Sequence, residues 1–102
     1  MRATDEINYA DDFRYNEMLH SIAQSIMHVY IRLRRYNPGH PNEKAWNENI
    51  KYWSRYDRQE IRGMVLPTEE HAKAELAKVT KAYKEAERLL NTVNNLQNEK
   101  TY

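Results

Sequence analysis

The stretch Tyr15-Asn16-Glu17-Met18-Leu19-His20-Ser21-Ile22-Ala23-Gln24-Ser25-Ile26-Met27-His28-Val29-Tyr30-Ile31-Arg32-Leu33-Arg34-Arg35-Tyr36 decides the fold. Tyr15, Leu19, Ile22, Ile26, Val29, Leu33 and Tyr36 recur by fours and threes, which is a heptad seam along one face of a helix. Asp11 or Asp12 suits the start of that helix, and Arg32, Arg34 and Arg35 suit its C-terminal end, where the peptide dipoles favour cations. Ser21, Ser25, His28 and Arg32 form a polar stripe away from the seam, as on any amphipathic helix.

Working outward, Asn37-Pro38-Gly39-His40-Pro41 breaks this helix, because proline removes a backbone donor and glycine tolerates positive φ. Gly63-Met64-Val65-Leu66-Pro67 is a second break. After it, Thr68 suits an N-cap and Glu69 and Glu70 a first turn. A second seam follows through Ala72, Leu76, Val79, Tyr83, Ala86, Leu90 and Val93, with Ala72 and Ala86 small enough for close helix approach. Glu69 and Lys73 form a favourable i,i+4 pair, and Lys81 with Glu85 a weaker reversed one. Asn91, Asn94, Asn95 and Asn98 predict fraying toward Tyr102.

Between the breaks, residues 41–62 form a shorter middle helix. Trp46, Ile50 and Trp53 begin a seam whose next positions are Asp57 and Glu60. The seam therefore fails after Trp53. Beyond it the helix leaves the core, or packs by Ile61 and then Met64, Val65 and Leu66.

The expected architecture is all-α: one helical domain over 1–102, frayed at 1–10 and 98–102. Two long heptad-patterned helices flank the middle one. They form either an up-down-up bundle or a hairpin of the two long helices completed by dimerisation, and the clean seams favour the second. Leu, Ile, Val and Phe supply only 18 of 102 residues, and eight Tyr, two Trp and four Met make up the core. A core this thin leads us to expect a homodimer or higher oligomer.

Composition removes several function classes. The chain has no cysteine, hence no disulfide framework and no thiolate chemistry. No apolar run approaches the ~20 residues of a membrane span. Met1-Arg2-Ala3-Thr4-Asp5-Glu6 lacks the basic and apolar regions of a signal peptide, so a cytoplasmic protein without membrane association is expected. No nucleophile motif, phosphate-cradling glycine loop or helix-turn-helix pattern occurs. Glu17-Met18-Leu19-His20 has the Glu-x-x-His spacing of di-iron bundles, but no second motif accompanies it, and His28, His40 and His71 lack partners at ligand spacing. Neither metal nor cofactor is expected, and the chain reads as non-catalytic.

Eight of nine Arg, six of eight Tyr and both Trp precede Gly63. Residues 32–62 carry eight basic and four acidic side chains, against two and five in residues 1–31. Lys44, Lys51, Arg55, Arg58 and Arg62 are spaced seven, four, three and four, which puts them on one face of a continuous middle helix, with Tyr52, Tyr56 and Gln59 beside them. The tryptophans are expected in the core, and Tyr52 and Tyr56 at the surface. Arg presents a planar fork to phosphate or carboxylate, and Tyr a face for stacking. The same residue types concentrate at protein interfaces.

The predicted contact set is therefore Arg32, Arg35, Lys51, Tyr52, Arg55, Tyr56, Arg58 and Arg62. Docking on a larger protein, as a small inhibitor or adaptor, is the preferred function. By analogy of size alone, such proteins are common among phage and mobile-element accessory genes. The alternative is nucleic-acid or nucleotide binding through the basic stripe. A third reading is a solvated face whose arginines pair with Glu48, Asp57, Glu60 or the acidic N-terminal segment. The overall pI of about 8.0 is below the value of roughly 9 usual for non-specific nucleic-acid binding.

Overall fold

Residues 8–101 are described by the computed structural model, with side chains as far as Asn95. Among them the chain forms four helices and no strand: α1 (Phe13–Tyr36), α2 (Glu43–Arg55), α3 (Arg58–Arg62) and α4 (Glu69–Thr101), preceded by a 3-10 turn at Tyr9–Asp11. The expected fraying at 1–7 and at Tyr102 lies outside the described residues. Asn8 to Ala10, by contrast, are anchored.

Local chemistry sets the helix ends. The Asp12 side chain accepts from Arg14 N at 2.9 Å, so Asp12 caps α1. The helix closes where Asn37 Nδ2 donates to Leu33 O and Gly39 takes φ 76°, a conformation that favours glycine. Thr68 Oγ1 accepts from His71 N at 3.1 Å and caps α4 as expected. The Glu69–Lys73 pair forms at 3.9 Å.

Two helices cover α1. Leu19, Ala23, Ile26 and Leu33 have no exposed surface, and Val29 and Tyr15 have little. Ile22 is partly buried against the core, while Tyr36 is 53% exposed, so one position of the expected seam leaves it. Asn16 and Ala23, off that seam, are buried as well. Two coverings widen the buried arc beyond a two-helix seam.

The order of contacts fixes the topology. Tyr15 Oη donates to Glu69 Oε2 at 3.1 Å, and Ile22 lies by Leu76 and Thr80 one pair of turns further along. α1 and α4 thus run parallel. α2 runs back along the other side of α1: Arg34 donates to Asn47 near its start, and Arg58, just past its end, reaches Glu17. The chain is an up-down-up bundle, and the expected hairpin of the two long helices is not formed. α1 packs along both α2 and α4, whereas α2 and α4 barely meet.

The continuous middle helix is also corrected. It breaks at Tyr56 (φ −81°, ψ 61°), and the Asp57 side chain accepts from Glu60 N at 2.9 Å to cap the new helix α3. Continuing α2 would have turned Asp57 and Glu60 toward the core. The break rotates the chain so that Ile61 is fully buried instead, followed by Leu66, while Val65 stays 80% exposed. Trp46 and Trp53 are buried as expected, with the His40 ring stacked on Trp46 at 4.6 Å.

Asn8 joins the N-terminal segment to the α3–α4 link. Its Oδ1 accepts from Leu66 N at 2.9 Å and Ala10 N at 3.2 Å, and its Nδ2 donates to Met64 O at 2.8 Å. Tyr9 N donates to Leu66 O beside it. Asn8→Ala should lower stability by about 1–3 kcal/mol, since it strands partly buried backbone groups. In urea unfolding the midpoint should fall with the slope unchanged.

Candidate functional site

Because α2 and α4 each follow α1 and not one another, a groove of about 480 Å³ opens between them, lined by Glu48, Lys51, Tyr52, Arg55, Tyr56, Glu60, Met64, Glu75 and Lys78. α2 supplies one wall, α4 the other, and α3 with its following turn closes one end.

Aromatic packing forms the α2 wall. Tyr52 stands edge-on to Trp53, with ring centroids 4.8 Å apart, and is 53% exposed. Trp53 leans on Tyr56 at 5.5 Å. The expectation of an exposed Tyr56 fails, because the end of α2 tucks this ring under the chain and leaves it 6% accessible. Its hydroxyl donates to Glu75 Oε2 at 2.6 Å and lies 3.9 Å from Met64 Sδ. That bond ties α2 to α4 at the closed end of the groove. Burial, reinforced by the Glu75 carboxylate, pushes the Tyr56 phenol well above its ordinary pKa. Glu75 also lies 3.8 Å from Lys78 Nζ.

The eight predicted contact residues do not share one surface. Lys51, Tyr52, Arg55 and Tyr56 line the groove. Arg58 does not, because the break in the helix turns it onto α1, where Nε and Nη2 grip Glu17 at 2.7 and 3.1 Å. The pair raises the Arg58 pKa and lowers that of Glu17. Arg62 is exposed on α3, outside the groove lining, and Arg32 and Arg35 are exposed near the far end of α1. The single basic face expected of Lys44, Lys51, Arg55, Arg58 and Arg62 is not formed, since a helix that ends at Arg55 cannot keep its face to Arg62.

Glu17 is thereby occupied by Arg58, and His20 lies 3.4 Å from Gln24. Among the described residues no group of three or more His, Asp or Glu side chains could hold a metal ion. No helix among them is long and apolar enough to cross a membrane.

Glu75 and Lys78 were missed as groove residues. They stand off the α4 seam, and nothing in their local pattern says that a tyrosine 19 residues earlier will face them.

No protein family, curated protein or solved structure matches this chain. Function therefore has to be argued from the groove itself.

Its charge is balanced: Lys51, Arg55 and Lys78 stand among Glu48, Glu60 and Glu75. A polyanion entering here would meet three carboxylates with the three cations. A protein surface carrying both signs around an apolar contact would meet complementary groups, with Tyr52 and Met64 as the apolar contact.

A raised phenol pKa means that the fold favours neutral Tyr56. This stabilisation is complete below the ordinary phenol pKa of about 10 and is lost as pH rises through the raised value. Ultraviolet titration of phenolate should show Tyr56 as the most delayed component, above the ordinary phenol range. Tyr56→Phe should remove that component.

Proposed function

We propose that this is a non-catalytic binding protein, an adaptor or inhibitor, that docks on a larger protein through the groove between α2 and α4. The observation that carries this reading is the charge-balanced groove with the half-exposed Tyr52 at its centre. A tyrosine presents a large contact area while giving up little side-chain freedom, and such residues dominate interface energies. Lys51, Arg55, Glu48 and Glu60 form the rim, which orients the partner more than it holds it. Trp53 and Tyr56 keep the Tyr52 ring in place from behind.

The reading has Tyr52, Lys51 and Arg55 as contacts, with Tyr56 and Glu75 positioning the wall. Arg58 serves the fold through Glu17. A chain without cysteine makes no demand for an oxidising compartment, and we place this action in the cytoplasm.

The test is a tagged pull-down of the full chain from its native host lysate after nuclease treatment, with sedimentation of the purified protein alone. One stoichiometric protein should be retained. Tyr52→Ala should weaken its binding at least about tenfold, roughly 1.4 kcal/mol, with the helical circular dichroism unchanged. Two results would overturn the proposal: material lost on nuclease treatment, or a partner indifferent to both Tyr52→Ala and Lys51→Glu/Arg55→Glu. Self-association abolished by Tyr52→Ala would give the groove to a second copy of this chain.

A further inference from the structure

The walls of the groove between α2 and α4 restrict the form of chain that can enter it. They are two helices running in opposite directions, both packed on α1 and barely on each other. Glu48, Lys51, Tyr52 and Arg55 recur along the α2 wall at helical spacing, about 10 Å from first to last. Glu75 and Lys78 face them from α4, one turn apart.

A protein takes up a segment of another chain in only a few ways. An extended segment adds to an exposed sheet edge, and no strand occurs among the described residues. Glu48 and Lys51 lie inside α2, and Glu75 and Lys78 inside α4, where peptide groups bond within their own helix. These walls offer side chains and not backbone, so the occupant must satisfy its own peptide groups. A proline-rich segment docks on a groove of exposed aromatic rings. Here Tyr52 is exposed, whereas Trp53 and Tyr56 keep 8% and 6% of their surface. An acidic or phosphorylated segment calls for clustered arginines, and here Arg55 stands among Glu48, Glu60 and Glu75. A helix meets all of these conditions. It bonds its own backbone and carries an apolar stripe flanked by charges of both signs.

We propose that the segment docked in the groove is an amphipathic α-helix of the partner, lying lengthwise between α2 and α4 as the fourth helix of a bundle; this rests on the docking reading above. Its apolar side chains, at i, i+3 or i+4 and i+7, pack on Tyr52 and Met64. The length from Glu48 to Arg55 is about two turns, which suits three such anchors. Its flanks present acids to Lys51 and Lys78 and bases to Glu48 and Glu60. The turn after α3, tied to the N-terminal segment where Asn8 donates to Met64 O, closes one end. The docked helix stops or turns away there.

Selection with the immobilised full chain from displayed random peptides of about 18 residues, five turns of helix, tests this. One library excludes proline and the other fixes proline at the centre. Binders should come from the first, with apolar positions recurring by threes and fours. Their circular dichroism should gain helix on binding. Tyr52→Ala should weaken them at least about tenfold, and Lys51→Glu/Lys78→Glu likewise, with the chain's own helical signal unchanged. Replacing the peptide's acids by Lys should restore binding to the charge-reversed chain. Binders from the proline library, binders that stay non-helical, or none from either library would overturn the proposal. So would indifference to both variants. The docking reading is judged separately: a lysate partner that still needs Tyr52 keeps it, whichever peptides are selected.

Discussion

The burial of α1 from two sides is the constraint on which the rest of the molecule depends. Leu19, Ala23, Ile26 and Leu33 are withdrawn from water completely, and no single neighbouring helix can cover so wide an arc. Burying a side chain of this size is worth about 1.5–3 kcal/mol, which in a chain with few aliphatic residues makes α1 the centre of the core. α4 covers one flank with Ala72, Val79, Ala86 and Leu90. α2 and α3 cover the other with Trp46, Trp53 and Ile61. The small residues at Ala23, Ala72 and Ala86 let backbones approach, and the tryptophans fill the space that leucines occupy in richer cores.

The candidate groove is a consequence of that arrangement. Helices that each follow α1 must diverge from one another, and the divergence of α2 from α4 is the groove. α4 meets α1 along one stripe only, which leaves its opposite side, with lysines and glutamates alike, to water. The break at Tyr56 and Asp57 has the same origin. An unbroken middle helix would direct Asp57 and Glu60 into the α1 interface, and ionised carboxylates are costly to bury. Ending α2 at Arg55 lets Asp57 cap α3, buries Ile61 and turns the Arg58 fork onto Glu17. One change of direction thus completes the core and dissolves the basic stripe that a continuous helix would have carried.

Individual residues show how far the sequence could be read. The α1 start at Asp12, the Thr68 cap, the Glu69–Lys73 pair, both tryptophans and most of the α4 seam were legible, because each rests on neighbours within a turn or two. Tyr36 was misplaced, and Asn16 and Ala23 missed as buried, because a heptad pattern assumes one partner helix and α1 has two. Tyr56 was misplaced because its exposure depended on a helix continuing. Of the candidate site, Lys51, Tyr52 and Arg55 were found from residue type and spacing. Glu75 and Lys78 were not, since they join the groove only through the pairing of α2 with α4 across Tyr56.

The sequence by itself determined the class and the punctuation of this protein: helices, two breaks, the stronger caps, and which residue types were available for contact. Those are decided by backbone sterics, helix period and side-chain groups a few residues apart, all local. Tertiary structure alone decided that α1 lies between its neighbours, that α1 and α4 run parallel, and that Arg58 serves the fold while Lys51 and Arg55 line the groove. Such outcomes follow from how three apolar stripes share one small core, and that competition between distant segments leaves no mark on any single stretch of chain.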